Sequence, residues 1–223
     1  MRALRLALAA AMLWLAGPAP AADRVVVVEL FTSQGCSSCP PADAILGELT
    51  TRSDVLPLAL HVDYWDYIGW KDSFGSPAHT SRQRGYARAA GARSIYTPQL
   101  VVGGVDHVLG AKPMKLAQLI ERHGRKEPPV DITARRSGNQ VDVTAVVSTP
   151  EPGEHTILLV RYLPSETVAI RRGENAGRTL TYHNIVAGIE EIGRWNGRDD
   201  VRVSADTGGS GQYAVLIQRK GYG

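Results

Sequence analysis

The residues best suited to chemistry are Cys36 and Cys39, the two cysteines of this 223-residue chain, separated by Ser37 and Ser38. Several chemistries fit a pair at this spacing. A structural cross-link gains little, because a bridge closing so short a loop removes little entropy from the unfolded chain. A structural zinc site calls for four ligands, and there is no second cysteine pair. A redox dithiol needs one thiol held as a thiolate, and a helix N-terminus supplies the means. Its unpaired N–H groups and the positive end of its macrodipole bring a cysteine pKa down to roughly 3.5–7.5. On that reading Cys36 is the nucleophile, and Cys39, one turn in, resolves the mixed disulfide. A copper(I) carrier is a further use of the same thiolates, with His61 or His79 as an added ligand. His155 and His183 have no metal-site spacing, and neither a resident metal nor a cofactor is expected.

The elements that must position the pair are written in the residue pattern around it. Val25 to Val28, Leu30 and Phe31 make a continuous β-branched and aromatic run, the mark of a strand buried on both faces. Thr32-Ser33-Gln34-Gly35 reads as a turn, and Ala42, Ile45, Leu46 and Leu49 then recur at helical spacing. The cysteines are therefore placed where a strand feeds the first turn of a helix, a position that also tolerates Pro40 and Pro41. Further strands are expected over 55–62 and, after Thr97-Pro98, over 99–103. A helix over 113–123 would bury Met114, Leu116, Leu119 and Ile120. This order predicts an α/β domain, a central sheet flanked by helices. Residues 63–70 hold two Trp and two Tyr among acids and a glycine. They read either as a cleft-lining loop near the dithiol or as an aromatic cap on the sheet. One more helix is expected over 76–90, with Arg82, Arg84 and Arg88 in solvent.

After Lys126-Glu127-Pro128-Pro129 the pattern changes to strands and turns. Strands are expected over 131–135 and 140–148, around Ser137-Gly138-Asn139, then over 156–163, 167–171, 179–192 and 212–219. This predicts a small all-β, sandwich-like domain over 128–223, following the α/β domain over 22–127. The opening residues read as a cleaved export signal over 1–21. Arg2 and Arg5 precede an apolar run over 6–15, and Ala19-Pro20-Ala21 offers the small residues of a cleavage site. The run falls short of the roughly 20 residues that span a bilayer. The mature protein is thus expected to be bacterial, periplasmic or secreted, with no membrane span. Losing the two arginines lowers the formal charge from +3 to +1. The remaining charges are interspersed, which argues against nucleic acid as a partner.

Three phrases carry a resemblance to known proteins. They are the stretch from Glu29-Leu30-Phe31-Thr32-Ser33-Gln34-Gly35 through Cys39-Pro40-Pro41-Ala42-Asp43, then His61-Val62-Asp63-Tyr64-Trp65 through Trp70-Lys71-Asp72, then Tyr96-Thr97-Pro98-Gln99. The first half of the chain resembles the thioredoxin superfamily. Nearly the whole mature chain is similar to the exported thioredoxin-like proteins of domain-of-unknown-function family 1223 (DUF1223). The resemblance implies a thioredoxin-like domain whose partners are protein or small-molecule thiols and disulfides. It implies that Thr97-Pro98 is a cis-proline pair facing the dithiol, and that Glu29 is a buried acid that handles the proton of Cys39. The sequence departs from ordinary thioredoxin in having no Trp before Cys36 and no Gly-Pro between the cysteines. The alternatives are a non-catalytic binding module with a stable disulfide, or a copper(I) carrier. The family name carries no substrate.

Overall fold

The computed structural model describes residues 25–222, so the expected export signal lies outside the described residues. Strand β1, Val26–Thr32, is followed by helix α1, Pro40–Leu49, and by β2, Val55–His61. The prolines opening α1 fall in its first turn, where a missing N–H costs nothing. β2 runs parallel to β1 and sets His61 beside Thr32. A short 3-10 turn, Asp66–Ile68, precedes α2, Pro77–Ala89, where the Ser76 hydroxyl accepts from the Ala78 N–H as an N-cap. β3, Gln99–Val102, lies antiparallel to β1 with Gln99 opposite Phe31. β4, Asp106–Leu109, and α3, Pro113–Gly124, complete this half.

Alternation along the strands divides two cores. Val26, Val28 and Leu30 face α1 and α3, meeting Leu46, Leu116, Leu119 and Ile120. Phe31, Leu58, Leu60 and Val101 face the other way, against Tyr86 of α2. Met114, expected in the α3 core, is instead exposed. It sits two residues before Leu116, which turns it away from the stripe formed by Leu116, Leu119 and Ile120.

The C-terminal half supplies β5, Val130–Ser137, β6, Gln140–Val147, β7, His155–Ala169, β8, Thr179–Trp195, β9, Val201–Asp206, and β10, Gln212–Arg219. They do not form a body of their own, and this corrects the expectation of a separate sandwich. The main sheet has seven strands in the order β10-β7-β8-β2-β1-β3-β4, and β5-β6-β9 form a second, three-stranded sheet. β8 joins β2 in parallel where Ala59 meets Ile185, and Asn184 donates to the Pro57 carbonyl at 2.8 Å. The reason is apolar surface on both faces of β7. Leu158 and Val160 join the Phe31 core, while Ile157 and Leu159 pack under Val141, Val143 and Ala145 of the smaller sheet. No helix among the described residues is long and apolar enough to cross a membrane.

Candidate functional site

The chain leaves β1 through Ser33, Gln34 and Gly35 and enters α1 by two successive turns. The Cys36 N–H donates to the Ser33 carbonyl at 3.1 Å, and the Cys39 N–H to the Cys36 carbonyl at 3.2 Å. The turns bring the two cysteine Cα atoms to 5.4 Å, and the side chains are joined as a disulfide. Cys39 is the N-cap residue of α1 and supplies no side-chain cap. Its carbonyl accepts from the N–H groups of Ala42 and Asp43 at 2.8 and 3.1 Å.

Both cysteines are shut away from solvent, with relative exposures of 1% for Cys36 and 0% for Cys39. Residues 170–178, which connect β7 to β8, form the cover. The buried Asn175 side chain spends both amide hydrogens on the cysteine turn, donating to the carbonyls of Gln34 and Cys36 at 2.9 Å each. Glu174 accepts from the Ser37 N–H at 3.1 Å, and the Ser37 side chain and N–H hold its carboxyl below the usual range. Residues 63–70 pack beside this cover, where a Cβ on Gly173 would meet the Trp70 Cβ at 3.3 Å. Trp70 donates to the Gln34 side chain at 2.8 Å and Trp65 to the Thr97 hydroxyl at 2.7 Å. A Cβ on Gly35 would meet the Trp65 Cβ at 3.1 Å and the Ile68 Cδ1 at 3.2 Å, so a larger residue there would push this segment back by a few tenths of an ångström.

The Thr97–Pro98 bond is cis. Pro98 precedes Gln99, the partner of Phe31, so the pair lies at the end of the sheet from which the cysteine turn departs. Glu29 is not brought to the disulfide. Odd-numbered β1 residues face α2, and the Glu29 carboxylate accepts from Arg82 Nε and Nη2 at 2.6 and 3.1 Å and from the Tyr86 hydroxyl. Arg82, expected in solvent, is therefore buried as the counter-charge of Glu29.

A different acid is buried in α1, its backbone N–H bonded to the Cys39 carbonyl. Asp43, one turn beyond Cys39 in α1, is buried and accepts from the Thr32 hydroxyl at 2.7 Å. Burial pushes its pKa up to about 6, with Asp72 adding to the rise while His61 and the Thr32 hydrogen bond oppose it. The His61 Nδ1 faces Asp72 Oδ2 at 2.8 Å in an enclosed pair. Burial works against the charge of Asp72, but His61 and the N–H groups of Gln34 and Phe74 outweigh it and hold the carboxyl below the usual range. Tyr182 of β8 stacks edge-on against His61, with centroids 4.8 Å apart. Asp43 was readable in principle. Residues 39, 42, 43 and 46 make the buried stripe of α1, and a carboxylate there is out of place. Tyr182 left no such signal, since nothing in the sequence said β8 would join β2.

His61 Nδ1 is taken by Asp72, and His79 Nδ1 by the His61 carbonyl at 2.8 Å. Among the described residues no group of three His, Cys, Asp or Glu side chains is disposed to hold a metal ion.

A mixed α/β layer with a large central sheet, bearing a Cys-x-x-Cys disulfide where a strand passes into a helix, is the class of protein defined by this fold and site. The chain belongs to the family described as "Protein of unknown function (DUF1223)", whose profile matches residues 27–218, from β1 into β10. It is similar to the crystal structure of an Agrobacterium tumefaciens protein solved as a structural-genomics target. The two are 34% identical with a TM-score of 0.73, over 84% of this chain and 81% of the other. No curated protein matches.

Proposed function

We propose that the protein is an exported thiol–disulfide oxidoreductase acting through Cys36 and Cys39. The observation that carries this reading is the placing of the disulfide at the N-terminus of α1, with Cys39 as the N-cap residue. There the helix end favours thiolate over thiol. In the reduced protein the Cys36 thiolate attacks a substrate disulfide, bonding to one sulfur and releasing the other as a thiolate. Cys39, once deprotonated, attacks the Cys36 sulfur, re-forms the intramolecular bond and expels the second substrate thiolate. Run in reverse, the same steps oxidise a dithiol. A thioredoxin-like reading of residues 22–127 is supported by the strand, cysteine turn and helix in sequence, and by the cis Thr97–Pro98 beside them. Export is supported by Arg2, Arg5, the apolar run and Ala19-Pro20-Ala21.

One observation favours a second reading, a binding module with a permanent disulfide: the cover formed by Asn175 and Glu174 leaves both cysteines shielded. The reduction potential of the purified mature protein separates the two. Equilibration with glutathione or dithiothreitol buffers should place the pair between about −120 and −270 mV, the range of exchange enzymes. A value below about −300 mV would identify a structural bridge.

A further inference from the structure

The three-stranded sheet ends in an open edge. β5 has β6 on one side and no strand on the other. Its register with β6 runs unbroken from Val130 opposite Val147 to Ser137 opposite Gln140, and after Val130 every one of its residues is exposed. Sheets usually blunt such an edge with a short strand, a bulge, a proline or charges, because its free N–H and C=O groups will pair with another strand. β5 has only the charges, and they are arranged to pair. Its inner face is also unfinished. Ile132, Ala134 and Arg136 lie opposite Ala145, Val143 and Val141, so all six share the face turned toward β7. The three β6 residues are buried, whereas Ile132 is 40% exposed and Ala134 lies open on a groove shared with Tyr213 and Val215 of β10. β9, the other edge of this sheet, has its inner residues Val201, Val203 and Ala205 packed into the cores.

Backbone parity and charge select the occupant. The Ser148 N–H donates to the Pro129 carbonyl at 2.9 Å, so the odd-numbered residues of β5 bond β6 and the even-numbered ones present N–H and C=O to the open side. A strand added there antiparallel must oppose its own outward-bonding residues to the even ones. A second β5 does so with the two-fold axis at Thr133. Ile132 then faces the partner's Ala134, and Asp131 faces the partner's Arg135, once on each side of the axis. These charge pairs fall at non-hydrogen-bonded positions, where side chains approach most closely. The adjacent registers of the same parity lose both charge pairs. Both charges are available: Asp131 is engaged only by the Ser148 hydroxyl, and the Arg135 side chain has no partner among the described residues. Arg136 is already committed, donating to the Gly138 carbonyl at 2.9 Å and lying over the Tyr213 ring. We propose that β5 pairs antiparallel with β5 of a second copy of this chain, so that the two small sheets become one six-stranded sheet in a two-fold homodimer. The assignment does not depend on the chemistry proposed for the cysteines.

Sedimentation equilibrium of the mature protein tests it. The wild type should dimerise, and Asp131→Arg and Arg135→Asp should each raise the dimer dissociation constant at least about 10-fold, since each replaces two attractions with two repulsions. Mixed in equal amounts, the two variants should dimerise again, because the mixed pair regains both attractions. No change of fold alone would produce that rescue. A wild type that stays monomeric at millimolar concentration overturns the proposal. So does a dimer indifferent to both substitutions, which must be joined elsewhere, and so does a mixture that fails to recover. Should either charge variant not fold, Thr133→Cys decides. The two copies of residue 133 meet at the axis within reach of a disulfide, and Cys36 and Cys39 are already bonded to each other, so oxidation should give a covalent dimer. A variant that stays uncrosslinked overturns the pairing.

Discussion

Glu29 and Asp43 show how much a single position on an element decides. A charge buried as deeply as Glu29 is tolerable only with a partner, and Arg82 meets it with two hydrogen bonds while Tyr86 and Gln218 close the ring around them. The Tyr86 hydroxyl is itself pushed well above its ordinary pKa by burial and by the Glu29 charge, so it stays a donor. Glu29→Gln should therefore cost about 3 kcal/mol in urea unfolding, since breaking a buried pair strands the remaining charge. It should leave the kinetics of exchange with glutathione disulfide unchanged. A variant of normal stability but slowed exchange would restore Glu29 to the chemistry and remove the structural account. The sequence marked Glu29 as an acid on a buried strand, which is correct. It could not say which strand parity α1 would cover, because that depends on how the turn at 33–36 steers the helix.

At the scale of elements, the strand, turn and helix around the cysteines were legible because each carries its own local signal. β-branched residues in β1, turn residues at 33–35 and apolar residues at helical spacing in α1 were enough, although Thr32, expected in the turn, closes β1. The cover over the disulfide was not legible. Asn175 binds the carbonyls of Gln34 and Cys36 across 141 and 139 residues, and backbone carbonyls leave no trace in a sequence. This loop has its own fastenings, the Ile170 N–H to the Arg178 carbonyl at 2.9 Å and the Gly177 N–H to the Ile170 carbonyl at 2.8 Å. Removing the Asn175 amide should thus loosen its hold on the turn without unfolding the loop. Asn175→Ala forfeits the two hydrogen bonds to the turn, together worth about 1–2 kcal/mol net, and one inside the loop, where Asn175 Oδ1 accepts from Arg178 at 3.0 Å. If reduction requires the cover to lift, the variant's disulfide should react with dithiothreitol roughly 5–30 times faster, the population change such an energy brings. An unchanged rate would mean that the reductant reaches the sulfurs without the Asn175 cover lifting.

At the scale of the whole molecule, the seven-stranded sheet draws its strands from both halves of the chain, and so does the site. Thr32 and Asp43 come from the N-terminal half, Tyr182 and Asn175 from strands and loops more than 130 residues later. The change of pattern near 128 is real in composition, but alternation in β7 and β8 is equally satisfied by a separate sandwich or by joining β2, so the sequence could not choose. The buried acid enclosed by this arrangement bears on the stability of the molecule as a whole. Asp43 has its pKa raised by burial from an ordinary 3.8 to about 6 in the folded protein. A group whose folded pKa exceeds its unfolded one favours the fold fully below the unfolded value and loses that contribution as pH rises through the folded value. Above about pH 6 the ionised Asp43 is therefore a burden, of at most about 3 kcal/mol for a shift of this size. Asp72 and His79 titrate in the opposite sense. Their pKa values are held below the ordinary ones, Asp72 by His61 and backbone N–H groups against the cost of burial, and His79 chiefly by burial. Their contributions are lost as pH falls. His79 is common to the wild type and an Asp43 variant and cancels in the difference, whereas Asp72, which repels the Asp43 charge, is relieved of that repulsion in the variant and adds to the difference in the same direction. Asp43→Asn keeps an oxygen to accept from Thr32 and removes the charge. Urea unfolding of the disulfide form should find the variant more stable than the wild type by about 1–3 kcal/mol at pH 8, with the advantage shrinking steadily toward pH 4. An advantage that is the same at both pH values, or absent at pH 8, would show that Asp43 carries no strained charge in the folded protein.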